Sequence, residues 1–290
     1  EISEECLEVI PPSTGKTIGS CVERVDARGK MTGALEYAAD MEMPRMLHIH
    51  LVRSKEVHAE ILKIDYEKAL EMPGVETVIT SEDVPGEDRF GVYYHDQPVL
   101  AKGKIRFYGE PVVAIVAETL EDAEEAEKGV EITYKKLPVV SNIQEAIECK
   151  AVLHEDHPDN IVSTTCVQKG NVEEGFKSSE IIIEKDFSTQ AVDHAYLETE
   201  AGISYCDPDG TIVVKSCDQD ITHHRVLLAK ILGMPINKVR VIMSPVGGGF
   251  GGKEDMIYQA ILAIATLKTN QPVKLVFSRE DSMIGSCKRH

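Results

Sequence analysis

The sequence contains no tryptophan, and aromatic residues make up only 5% of its 290 positions. Burial must therefore rest on aliphatic side chains, which a hydrophobic content of 42% allows. Cations are scarce too: 31 Lys and Arg stand against 49 Asp and Glu, a formal charge of −18. Phosphate neutralisation needs clustered Lys and Arg, so no nucleic acid is expected as a partner. No apolar run reaches about 18 residues and no basic segment opens onto an apolar one, so there is no membrane span or signal peptide to read, and a cytoplasmic location is expected. The seven cysteines, Cys6, Cys21, Cys149, Cys166, Cys206, Cys217 and Cys287, are odd in number and lack C-x-x-C spacing. This disfavours a disulfide framework, a zinc knot and an iron-sulfur cluster, so any electron relay is expected outside this chain. There is no initiator Met, and the chain stops at His290 close behind a strand and turn, as expected of a piece of something longer.

Glycine, by contrast, is concentrated. Lys238 to Glu254 reads KVRVIMSPVGGGFGGKE, an apolar β-branched run, then Ser244-Pro245, then five glycines around one Phe. Helical spacing follows over Asp255 to Leu267, so the order is strand, glycine loop, helix. Such a loop brings backbone N–H groups close to an anionic or oxo ligand. Gly247, Gly249 and Gly252 fit the dinucleotide pattern G-x-G-x-x-G, but the ribose-binding acid is missing roughly 20 residues on. There the chain reads Lys268-Thr269-Asn270-Gln271, and Glu280 comes late. Gly247 to Lys253 fits the start of a P-loop, yet Glu254 stands where a Ser or Thr should hold magnesium, and its charge would repel phosphates. A turn with no ligand is the remaining plain alternative, although so many glycines weaken folding through backbone entropy and imply some use.

Before this loop the chain reads as an α+β protein. Residues 1–18 form a polar leader without period. Strands are predicted over Met46 to Val52, Ala59 to Asp65, Val75 to Thr80, Glu110 to Glu118 and Glu131 to Tyr134, with a short helix over Tyr66 to Glu71 and another capped by Thr119. A shift to Pro, acids and His between Leu137 and Asn160 marks a linker. Beyond it come predicted strands over Glu180 to Thr189, Gly202 to Cys206 and Thr211 to Ser216, the last pair joined by Asp207-Pro208-Asp209-Gly210. A helix over Ile221 to Leu232 precedes the loop strand. His154 and His157, three apart in an acidic loop, are a weak metal signal. His48 and His50 share a strand face without a third ligand, and His223-His224 reads as polar packing at a helix start.

VGGGFGGKE, followed by an apolar helix, then Arg279-Glu280-Asp281-Ser282-Met283 and Lys288-Arg289-His290, resembles the molybdenum-binding subunit of the xanthine dehydrogenase and aldehyde oxidase family. So do RVDARGKMTGALEYAADM, VRSKEVHAEILKIDYEKALEMPGVETVITSEDVPG and YGEPVVAIVAET, which follow in order the phrases of that family's small hammerhead domain. The resemblance covers nearly the whole chain. It implies a hammerhead-like domain over 19–140, a linker over 141–160 and the first part of a molybdopterin-binding α+β domain over 161–290. Glu110 stands where a Gln is common, a change taken as compatible with the surface.

The resemblance also assigns roles. Gly248, Gly249, Phe250, Gly251 and Gly252 would pass beside the molybdenum, with the Phe250 amide facing an oxygen ligand of the metal and Gly251 as an adjacent donor. DHAYLETE resembles a second cofactor segment through His194, Tyr196, Leu197 and Glu198; read without the family, the same residues suit a buried strand with satisfied polar groups. Two positions before that His, many members carry a Gln that donates to an oxo ligand; here Val192 cannot, and Gln190 is offset by two. Glu254 would orient a purine or related N-heterocycle, whereas aldehyde-type members tend to be apolar there; it also suits a helix N-terminus through the dipole. The expectation is a molybdenum hydroxylase subunit inserting a water-derived oxygen, with an aldehyde or nicotinate type as alternative. Its catalytic base and much of the pterin surface would lie beyond His290, so the chain alone should be inactive. Iron-sulfur and FAD modules are the implied partners. A nucleotide-binding dehydrogenase domain and a non-catalytic assembly module are the readings from other classes.

Overall fold

The computed structural model describes Ser20 and residues 22–288; the leader, Cys6, Cys21, Arg289 and His290 lie outside them. The chain forms two compact units, one ending at Glu36 and one beginning at Tyr37. In the first, α1 (Ala27–Thr32) stops at Gly33, whose φ of 71° closes the helix with a left-handed turn.

In the second unit the elements run β1 (Leu47–Arg53), β2 (Ala59–Asp65), α2 (Glu67–Leu70), β3 (Val75–Ile79), β4 (Arg89–Phe90), β5 (Gln97–Pro98), β6 (Lys104–Ile105), β7 (Pro111–Ala117), α3 (Leu120–Ala126), β8 (Glu131–Lys136), α4 (Ile143–Ile147), α5 (Val172–Ser178), β9 (Ala201–Cys206), β10 (Ile212–Ser216), α6 (Ile221–Ile231), β11 (Val239–Met243), α7 (Gln259–Thr269), β12 (Val273–Val276) and α8 (Arg279–Gly285). The architecture is α+β, as expected. A seven-stranded sheet has the order β11-β10-β9-β12-β1-β7-β3, and a smaller one the order β6-β2-β8. The larger sheet is mixed: β1 pairs with β12 and β10 with β11 in parallel, while β9 runs antiparallel to both its neighbours.

Strand β7 reads PVVAIVA and is buried at every position because it has a core on each face. Alternate side chains separate as the pleat requires. Ala114 and Val116 join Leu47, Ile49 and Leu51 beneath α7, and Val113, Ile115 and Ala117 join Ile105, Ala123 and Ala126 under α3. Helix α7 is buried on all sides from Gln259 to Thr266, which explains its lack of a polar face. No helix among the described residues is long and apolar enough to cross a membrane.

Four expectations need correction. Residues 180–189 form no strand; they lie exposed, with Ile181, Ile182, Ile183 and Phe187 turned outward. A strand signal needs a ladder partner, and the described residues supply none. The helix after the glycine loop starts at Gln259 instead of Asp255. Met256, Ile257 and Tyr258 are buried in an irregular approach, so their apolar spacing serves packing before helix formation. Glu110 is no surface residue: it is 2% exposed and accepts the Arg106 amide at 2.7 Å. Burial pushes its carboxyl up to about 7, against the lowering influence of Arg106. Residues 194–198 are not a satisfied strand either, since His194 Nδ1 and Glu198 Oε1 are buried without a partner.

Candidate cofactor site

The glycine loop leaves β11 at one edge of the large sheet. It is fastened by two side-chain acceptors from elsewhere in the chain. Glu198 Oε2 accepts the Gly247 amide at 2.7 Å and the Lys253 ammonium at 2.9 Å. Gln219 Oε1 accepts the Gly251 amide at 3.1 Å and the Lys253 amide at 3.2 Å, while the Gln219 main-chain amide donates to the Lys253 carbonyl at 3.0 Å. Close approach explains the glycines: a Cβ at Gly247 would lie 2.6 Å from Glu198 Cβ, and one at Gly252 would lie 2.7 Å from Tyr196 Cε1. Between the clamps, Gly248 and Phe250 adopt φ of 102° and 53°.

This geometry sorts the donors. Gly251 is already committed to Gln219, so it is not the second donor facing a ligand that the family resemblance implied. No hydrogen bond from the amides of Gly248, Gly249 or Phe250 is found among the described residues. A short run of unpaired N–H groups beside left-handed backbone is the kind of concavity that receives an anionic or oxo ligand. The Phe250 side chain is 72% exposed and packs no core.

Beneath the loop lies the segment around His194. Tyr196 is buried and hydrogen-bonds Glu200, and burial together with that carboxylate drives its phenol above the ordinary range. Lys253 Nζ stands 4.7 Å over the Tyr196 ring, and the rings of His194 and Tyr196 stack at 6.4 Å. Glu200 Oε2, like His194 Nδ1 and Glu198 Oε1, is buried without a partner. The segment thus supports the loop through Tyr196 and Glu198, while Leu197 and Val192 are exposed.

Glu254 projects from the far end of the loop and is exposed. Its carbonyl is held by buried His224 at 2.7 Å. His224 Nδ1 faces Asp218 at 3.4 Å, and Asp218 is held in turn by Ser216 at 2.6 Å and by Gln259. Burial alone would lower the His224 pKa; the Asp218 carboxylate outweighs it and holds the ring above the ordinary histidine range. The Glu254 backbone is thereby fixed and its carboxylate left outside. Because α7 begins at Gln259 with no acid in its first turn, Glu254 is too far ahead to act as a helix-terminal charge, an effect confined to that turn.

The competing nucleotide readings fail on geometry. Lys253 is 3% exposed and ion-paired, so it cannot cradle phosphates. The strand after the loop, β12, lies between β9 and β1 instead of beside β11, whereas a dinucleotide unit needs adjacent parallel strands. Sequence reading passed over Gln219 and Asp218, while His224, read as polar packing, does pack between the Glu254 carbonyl and Asp218. The available signal was the polar run Cys217-Asp218-Gln219-Asp220 directly after a strand.

Residues 32–138 match the aldehyde oxidase and xanthine dehydrogenase a/b hammerhead domain, and residues 153–290 the molybdopterin cofactor-binding domain. A probable xanthine dehydrogenase subunit from Bacillus subtilis is 39% identical over 268 residues, 92% of this chain and 36% of that protein. The nicotinate dehydrogenase large molybdopterin subunit of Eubacterium barkeri is 36% identical over 276 residues, 95% of this chain and 64% of that one. The aldehyde oxidoreductase from Desulfovibrio gigas superposes with a TM-score of 0.87 at 28% identity, covering 92% of this chain and 31% of its own. The chain therefore spans between about a third and two thirds of the length of these proteins. It belongs to the xanthine dehydrogenase and aldehyde oxidase family of molybdopterin-binding proteins.

Proposed function

We propose that this chain is the N-terminal portion of the molybdenum subunit of a hydroxylase acting on an N-heterocycle, of the purine type. The observation that carries the reading is the pairing of two features on one loop: unpaired amides at Gly248, Gly249 and Phe250, and four residues after Phe250 an exposed carboxylate on a pinned backbone. The residues fit a molybdenum-pterin group, since the unpaired amides are donors suited to an oxygen ligand. When bound, that group supplies the oxygen delivered to a substrate carbon and takes up two electrons. This chain's part is to hold and orient. Phe250 N–H, with those of Gly248 and Gly249 beside it, would donate to an oxygen ligand of that group, while Gly251 and Gly252 keep the loop's shape. Glu254 would accept from a ring N–H of the heterocycle and so fix its orientation in the site. Val192 offers no side-chain donor to such a ligand.

The general base, the iron-sulfur and FAD modules and the rest of the pterin surface are assigned to other parts of the assembly. The division into a hammerhead-like part over 19–140, a linker over 141–160 and a cofactor part from 161 belongs to the same proposal. A nicotinate-type substrate is the second reading, favoured by the relative named for nicotinate. Metal and pterin analysis of the complete protein, with turnover measured on a purine, nicotinate and an aromatic aldehyde, tests the function. Stoichiometric molybdenum with preference for a heterocycle is expected; absence of both metal and turnover in the complete assembly would contradict it.

A further inference from the structure

His224 sits in the first turn of α6, and both it and Asp218, just past the end of β10, are fully buried. Each of its ring nitrogens faces an oxygen that can only accept. Nε2 lies 2.7 Å from the Glu254 carbonyl, and Nδ1 lies 3.4 Å from Asp218 Oδ2. A neutral ring has one proton for these two positions and would turn a lone pair on the other oxygen. Asp218 is fixed in place, since Oδ2 also accepts Ser216 Oγ at 2.6 Å and Oδ1 accepts the Gln259 side chain. Burial works against a charge on the ring, but Asp218 outweighs it and the cap residue Asp220 adds to the attraction. Such a pair is a poor choice for stability alone. A cation in the first turn of a helix opposes the dipole, and a buried ion pair seldom stabilises a fold beyond what apolar side chains of the same volume would. What the pair holds is the main chain of Glu254.

We propose that His224, protonated on both ring nitrogens and anchored on Asp218, is a positioning residue that fixes the backbone of Glu254 and so the direction in which its carboxylate leaves the loop. The inference rests on the reading of Glu254 as the group that orients a heterocycle for its catalytic half; its structural half, a charged ring pinning a carbonyl, does not. Glu254 is exposed, so packing does not aim its side chain, and the main chain sets where the carboxylate begins. With the carbonyl released, the peptide between Glu254 and Asp255 is free to rotate and carry the carboxylate with it. A reacting geometry displaced by an ångström costs turnover steeply.

The test uses the complete protein with His224→Leu, which removes the donor, and His224→Gln, which keeps one without the charge. Both carry Asp218→Asn, so that no buried carboxylate loses its partner. In the nitrogen-15 spectrum of the wild-type histidines, His224 is identified by its loss from the glutamine variant and should show both ring nitrogens protonated from pH 6 to 8; one bare nitrogen overturns the charged anchor. Hydrogen exchange over residues 252–258 should accelerate about fivefold in the leucine variant, the loss of a hydrogen bond, and much less in the glutamine variant; equal rates in all three proteins overturn the pinning. Where the protein carries molybdenum, the leucine variant should lower kcat on a purine roughly 10- to 100-fold with a smaller effect on KM, and the glutamine variant should recover most of it. Turnover of an aromatic aldehyde, which needs no ring-nitrogen partner, should stay within about twofold of wild type. Equal losses on both substrates, or no loss on either, overturn the positioning role. If Glu254→Val itself spares the purine, the reading of Glu254 fails alone, because the spectrum and the exchange stand without it.

Discussion

The Lys253 ammonium and the Glu198 carboxylate meet at 2.9 Å, with 2% and 11% of their side chains exposed, and the carboxylate oxygen involved also holds the first amide of the glycine loop. Removing one partner from such a pair leaves an uncompensated buried charge. Lys253→Met should therefore destabilise the protein by about 3 kcal/mol, read by denaturant unfolding. Adding Glu198→Gln to that variant should recover part of the loss, since no charge then remains to be paired. A double variant less stable than the sum of the singles would contradict this account.

Glu110 should make stability depend on pH. Its carboxyl ionises near 4.5 when exposed and at about 7 when buried in the fold. Below about pH 4.5 it is protonated in both states and favours neither. As pH rises to about 7 the unfolded chain releases the proton first, so stability falls, by about 3 kcal/mol in all. Glu110→Gln keeps the shape without the charge; it should remove this dependence and leave the variant more stable than wild type at pH 8. Chemical denaturation at four pH values between 5 and 8 decides it, and parallel curves for the two proteins would be the contrary result.

The loop's tight packing predicts unequal tolerance among glycines. Gly252→Ala places a methyl 2.7 Å from Tyr196 Cε1 and 2.9 Å from His194 Nδ1, an overpacking worth about 1 to 3 kcal/mol of lost stability. Gly175 lies in α5 with nothing within 4 Å of its Cβ position, and Gly175→Ala should stabilise by about 0.5 kcal/mol or more through helix propensity. Thermal melts of the two variants should move in opposite directions.

Much of this was legible because the relevant signals are local. β2 and β11 fall on the predicted bounds, Ala59–Asp65 and Val239–Met243, since β-branched residues and polar breaks mark both ends. Thr119, predicted as a cap, accepts the Asp122 amide at 3.1 Å. The loop itself stood out by its glycines. What escaped depends on contacts across the sheet. Glu110 is buried because its carbonyl accepts the Ser54 amide beside β1 and its carboxylate turns inward onto Arg106, and no pattern around YGEPVV reports that. Gln219 and His224 reach the loop across some thirty residues of intervening helix and strand. The onset of α7 was misplaced because Met256, Ile257 and Tyr258 carry helical spacing yet are buried by tertiary packing one turn before the helix forms.

The orienting role of Glu254 is tested most directly by steady-state kinetics of the complete enzyme on a purine, nicotinate and an aromatic aldehyde, comparing wild type with Glu254→Gln and Glu254→Val. The glutamine keeps the shape but loses the anion and leaves a mismatched polar group against the ring, at a cost of about 1 to 3 kcal/mol. That corresponds to roughly a 5- to 150-fold fall in kcat/KM on heterocycles. The valine should harm the purine more than the aldehyde, whose oxidation needs no ring-nitrogen partner. Losses concentrated on the heterocycles are the predicted result; equal losses on all three substrates would contradict the role given to Glu254 and with it the purine-type assignment.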